Sequence, residues 1–127
     1  MPNRITYDAG HCLTSIAGRF VAMNYADFWA AYLGSHADRR TRALHYAGTL
    51  AALAALALGA AGAGWGWFVA APVLGYGPAW LGHAAFERNR PETFSHPAWS
   101  LISDFRMLGC FLSGRLGPEL RRAGVKK

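Results

Sequence analysis

Polar and apolar positions segregate along this chain into long blocks. From Ala43 to Phe86 there is no Asp, Glu, Lys or Arg, a run about twice the roughly 20 residues that cross a bilayer as a helix. That length predicts a hairpin that enters and returns. The first span is expected from Arg39 to about Leu58 with Asp38 as its N-cap, and the second from Trp67 to Phe86. Gly59, Gly62, Gly64 and Gly66 supply a turn between them, and Trp65 and Trp67 stand where interfacial aromatics belong. Pro72 and Pro78 should kink or break the second span. Its small residues, among them Gly75, Gly77, Ala79 and Gly82, admit another helix at close range.

The flanks carry shorter periods. From Arg19 to Leu33, Phe20, Met23, Phe28, Trp29, Tyr32 and Leu33 recur as in an amphipathic helix lying at the membrane interface or packed against the spans, which Gly34 would end. After a polar connection from Glu87 to Ser95, Pro97 suits the first position of a last helix with Ser95 or His96 as cap. Trp99, Ile102, Phe105, Leu108 and Leu112 mark its apolar face, while Asp104 and Arg106 argue against a third full span. The expected class is all-α: a small integral membrane helical bundle, one transmembrane hairpin with flanking amphipathic helices. Its parts are a loose leader over 1–18, a helical membrane domain over 19–116 and a frayed basic tail over 117–127.

Composition sharpens this reading. The chain is 53% hydrophobic and only 16% charged, below the roughly 25% of ordinary soluble domains. Its formal charge of +6 is concentrated at Arg39, Arg40 and Arg42 before the uncharged block, Arg88 and Arg90 after it, and the C-terminal end. Basic flanks around an uncharged turn place both flanks on the cytoplasmic side. Nucleic acid is not an expected partner, because no recognition motif accompanies the charge. Cys12 and Cys110 are too few for a disulfide framework or a Cys-based zinc site and read as free thiols in a reducing compartment. Met1 to Phe20 has no apolar run, so insertion is expected to rest on the internal spans.

A hairpin also brings its two ends together, and histidines stand at both. His36 and His45 precede the block or lie at its start, His83 lies near its end, and His96 opens the last helix. Nine residues apart on one unbroken helix, His36 and His45 would point to opposite sides. A break at Gly34 and the Asp38 cap allows them to converge. His83 and Glu87 share one helix face at a spacing of four. Taken singly, each has a plain structural role: His45 a core imidazole, His36 a solvated loop residue, His96 a helix cap. Together they form a set of imidazoles suited to iron(II), zinc or copper, unlike the thiolate-rich sites of structural zinc. Spacing alone leaves the metal open.

The strings Tyr32-Leu33-Gly34-Ser35-His36, Leu44-His45-Tyr46-Ala47-Gly48-Thr49, Gly82-His83-Ala84-Ala85-Phe86-Glu87 and Asn89-Arg90-Pro91 resemble a family of small membrane proteins. These are related to the yeast dioxygenase that converts phytosphingosine-derived 2-hydroxy fatty acids to odd-numbered fatty acids. The resemblance runs from about Phe28 to Met107. It implies a protein of the endoplasmic reticulum or bacterial inner membrane that uses iron(II) and molecular oxygen to remove one carbon from a 2-hydroxy fatty acid as carbon dioxide. It also implies metal binding by His36, His45, His83 and His96. The chain departs from the fungal pattern at Ala79-Trp80-Leu81, where a glutamine is expected shortly before the Gly-His pair.

Further roles follow as expectations. Arg39, Arg42, Arg88 or Arg90 would hold the substrate carboxylate, and Glu87 would act in catalysis either as a metal ligand or, the preferred reading, by orienting a ligating histidine. The arginines serve equally as topology determinants and headgroup partners. Two rival readings stand beside the oxygenase: a bis-histidine haem electron carrier and a non-catalytic membrane scaffold.

Overall fold

The computed structural model describes residues 13–16 and 19–126, with side chains from 23 onward. The expected leader over 1–18 lies mostly outside them. Of that stretch Leu13–Ile16 is strand β1, which pairs antiparallel with β2, Arg19–Ala22. The expected amphipathic helix therefore does not begin at Arg19. It is α1, Tyr25–Ser35, and starts where the Asn24 side chain accepts the Asp27 amide at 2.9 Å. Gly34 does not end it. The helix runs on to Ser35, and the His36 N–H closes it by donating to the Leu33 carbonyl at 3.1 Å.

Helix α2, Arg39–Ala60, is capped as expected by Asp38, whose carboxylate accepts the Arg40 amide at 2.8 Å. Three hydrogen bonds from the Arg40 guanidinium and amide hold the partly exposed Asp38 carboxyl at a pKa of about 2. A turn through Gly62 and Gly64, both at positive φ, leads to α3, Gly66–Gly82. Helices α2 and α3 form the expected hairpin. They pack tightly at Gly48, where a Cβ would lie 2.7 Å from the Gly75 carbonyl oxygen. Helix α3 continues through both Pro72 and Pro78 rather than breaking. It then widens into a single π-helical turn, His83–Glu87, and stops at Arg88, whose φ of 54° is left-handed.

Helix α4, Pro97–Leu112, begins at Pro97 as expected. It buries Ser100, Ser103, Met107 and Leu108, while Ile102, Phe105 and Leu112 of the expected apolar face are exposed. Its apolar stripe faces mostly outward. The expected frayed tail folds as α5, Leu116–Arg122. Leu116 and Leu120 join Phe28, Trp29, Tyr32, Leu33 and Met107 in the hydrophobic core, and the Trp29 indole N–H donates to Glu119 at 2.7 Å. The all-α class thus holds from Tyr25 onward. Among the described helices, α2 is long and apolar enough to cross a membrane.

Candidate metal centre

The link between α1 and α2, the second turn of α2 and the π-helical turn after α3 meet at one point. His36 stands on the first, His45 on the second and His83 on the third, with side chains 1%, 6% and 1% exposed. Their Nε2 atoms form a triangle with edges of 3.1 Å between His36 and His45, 3.2 Å between His45 and His83, and 3.0 Å between His83 and His36. The rings stand nearly perpendicular to one another, at 78°, 79° and 86°.

The other ring nitrogens decide what these contacts mean. His36 Nδ1 lies 2.6 Å from the Tyr32 carbonyl oxygen, which can only accept. His45 Nδ1 lies 3.2 Å from an Asp104 carboxylate oxygen, again an acceptor. His83 Nδ1 lies 2.7 Å from Asn89 Oδ1, and that amide is oriented because its Nδ2 donates to the Ser35 carbonyl at 3.0 Å. Each Nδ1 therefore carries the proton, and each Nε2 presents a bare lone pair inward. Three lone pairs at these distances repel unless a cation lies among them. Burial, and then the neighbouring imidazoles, push the His36 pKa well below the usual histidine value, so a proton is a poor candidate.

A metal ion fits. Bonds of ~2.0 to 2.1 Å to imidazole nitrogen give edges of ~2.9 Å at right angles and ~3.3 Å in a tetrahedron, and the observed edges fall between them. His36, His45 and His83 are the group among the described residues that can hold an ion. Anchoring of each Nδ1 fixes ring orientation and raises ligand basicity.

The backbone explains how the sequence builds this point. Ser35 Oγ donates to the Tyr32 carbonyl at 2.8 Å, and Arg42 Nη1 donates to the His36 and Ala37 carbonyls at 2.8 and 2.7 Å. Those bonds satisfy the end of α1 and hold His36 against α2. The left-handed Arg88 turns the chain back so that the Asn89 amide donates to the His83 carbonyl at 3.3 Å and its side chain reaches the ring. A non-glycine residue there costs ~1 kcal/mol, a strain concentrated beside the site.

The remaining expected site residues lie elsewhere. His96 is not part of the triangle: it stacks on Trp99 at 5.3 Å and packs 5.3 Å from Phe28, in the aromatic core. The Glu87 carboxylate accepts the Asp38 amide at 2.6 Å, which ties the π-helical turn to the start of α2. Arg42 is buried and committed to backbone carbonyls, Arg39 is exposed beside a second cavity, and Arg88 and Arg90 are exposed, with Arg90 over the Phe94 ring. None of the four lines the cavity at the histidines.

That cavity, about 470 Å³, lies between α2, α3 and α4. His45, Asp104, Thr49 and Tyr76 supply its polar groups, and its other walls are apolar, including Ala52, Leu56, Ala71 and Phe105. Asp104 and Asn89 were not singled out for the site from sequence. Asp104 had a legible signal, a lone carboxylate in an apolar helix; its side chain is 13% exposed and also accepts the Tyr32 hydroxyl. Asn89 lay in the Asn89-Arg90-Pro91 string but has no period or charge to mark it.

No curated protein and no solved structure matches the chain. A family model described as 2-hydroxy-palmitic acid dioxygenase Mpo1-like matches residues 22–116, which spans the whole histidine centre and the cavity above it, and the chain belongs to this Mpo1-like family.

Proposed function

We propose that this protein is an iron(II)-dependent membrane oxygenase that shortens 2-hydroxy fatty acids by one carbon. The observation that carries this reading is the triangle of three inward Nε2 lone pairs, one of whose histidines, His45, also lines a mostly apolar cavity. The family description supplies the substrate class and the reaction type. One 2-hydroxy acid and one oxygen molecule give the acid one carbon shorter, carbon dioxide and water. Carbon, hydrogen and oxygen balance, and oxygen takes up the four electrons lost by the substrate.

Iron(II) on three neutral imidazoles would supply redox-active positions at which the hydroxy acid and oxygen meet. His36, His45 and His83 would hold it. Asp104 and Asn89 keep two of these rings in the tautomer that leaves Nε2 free, and the Tyr32 carbonyl does so for the third. Glu87 and the Asp38 cap fix the distance between the two ends of the hairpin. The apolar walls of the cavity would accept the acyl chain and exclude water from its path.

Membrane insertion belongs to the same proposal. Only 17% of the most apolar stretch of α2 is buried within the protein, and Leu50, Trp65, Val69, Val73 and Leu81 are exposed. Together α2 and α3 would form a transmembrane hairpin in a bacterial inner membrane or endoplasmic reticulum. With its arginine flanks on the cytoplasmic side, as the positive-inside rule favours, the histidine centre would lie at the cytoplasmic face. The haem alternative loses ground on geometry, because ring centroids 4.4 to 5.2 Å apart leave no space for a macrocycle between any two of the three imidazoles.

The test is a product assay. Purified protein given iron(II), oxygen and 2-hydroxypalmitic acid should release carbon dioxide and the odd-chain acid in equal amounts, and neither should form without oxygen. Substrate that stays intact with iron(II) bound would refute the reaction.

A further inference from the structure

The cavity above His45 has a polar end and an apolar end, and the helix register orders them. Gly48 meets Gly75, and a Cβ on Gly75 would lie 3.4 Å from Ala52 Cβ, so Tyr76 sits near the level of Thr49 while Ala71 and Pro72 lie one turn farther from the histidines. Beyond that level the lining on α2 and α3 carries no polar side chain: Ala52, Leu53 and Leu56 face Ala71 and Pro72. At 1.5 Å per residue, Ala52 lies ~10 Å and Leu56 ~16 Å along α2 from His45.

We infer that this cavity is a ruler for acyl length: the hydroxy-acid end lies at His45, the small pair Ala52 and Gly75 forms the floor under the middle of the chain, and Leu56 marks its far limit. This inference rests on the proposed oxygenase reading for the head of the substrate only. The floor is thin because two backbones meet there, and Ala52 lines the cavity, so bulk added at Ala52 takes up cavity space. Each methylene covered by the groove strengthens binding about fourfold, and the gain stops where the groove is blocked.

The experiment is displacement of a fluorescent fatty acid from the full chain in nanodiscs by 2-hydroxylauric, 2-hydroxymyristic and 2-hydroxypalmitic acids, with and without iron(II). For the natural sequence, affinity should climb with chain length across the series. Ala52→Phe should flatten the climb from the shortest acid onward, and Leu56→Trp should remove only the last part of it. Leu56 is 42% exposed, so the tryptophan variant carries the test if circular dichroism shows Ala52→Phe unfolded. An unchanged length dependence in every folded variant would overturn the ruler. A dependence that shifts as described without any effect of iron(II) would uphold the ruler while contradicting the metal reading. Iron(II) that tightens all three acids equally, with variants that leave the slope untouched, would sink the ruler alone.

Discussion

Helix α2 is one element with two different environments. Its first turns bury Thr41, Arg42, His45 and Gly48, whereas its later turns bury Ala55 and expose Leu50, Leu53, Leu56 and Leu58. A protein folding in water would favour the reverse. The polar end is held by directed bonds that converge from α1, the π-helical turn and α4. The apolar end is held by close contact with α3. Specificity of structure is therefore concentrated at one end, and under the proposed function the other end would accept the acyl chain.

That contrast makes graded predictions. The largest effect is expected where the two ends join: Gly48→Leu drives a side chain into the Gly75 carbonyl and should destabilise the hairpin by ~3 kcal/mol, read as a fall in midpoint on denaturant unfolding in detergent. Next, Asp104→Asn keeps the size of the side chain but offers His45 Nδ1 an amide in place of a carboxylate. Metal affinity should drop about 10- to 100-fold by competitive chelator titration, with Asp104→Glu recovering part of it.

Acid should weaken the polar end before the apolar one. The His36 pKa is lowered in the fold by burial, so the unfolded chain takes up a proton first as pH falls. The His36 contribution is intact above about pH 6.5, the unfolded histidine value, and declines below it. Metal affinity should decline in the same direction, because protons compete for the ligands. Thermal midpoints of the metal-free protein between about pH 7 and pH 5 check the sign.

Smaller effects complete the series. Asp38→Ala removes the α2 cap and should cost about 1 kcal/mol in the same unfolding measurement. Leu58→Ala, at the exposed far end, should change stability in detergent by less than ~0.5 kcal/mol. A large loss at Leu58 with none at Asp38 would reverse the proposed division of α2.

Much of this architecture is legible in the sequence because it rests on local signals. The uncharged block marks the hairpin, Asp38 marks the start of α2, Pro97 marks α4, and the glycine run marks the turn. Three of the four expected histidines meet because a hairpin must bring its ends together. His96 shared that local logic but is held among aromatic rings of α1 and α4, a tertiary outcome with no local signature. The apolar face of α4 is legible but its direction is not, because periodicity gives a face without saying whether that face looks in or out. Asp104 and Asn89 act at a distance of 59 and 6 residues from their histidines, and Asn89 depends on the left-handed turn at Arg88, which composition does not announce.

The central claim is that three anchored imidazoles converge on one ion. Elemental analysis of tag-free protein beside a His83→Ala variant tests it most directly. One equivalent of iron per chain, absent from the variant while its helical content persists, is the expected result. No transition metal in the natural protein, or an equal amount in both, would contradict it.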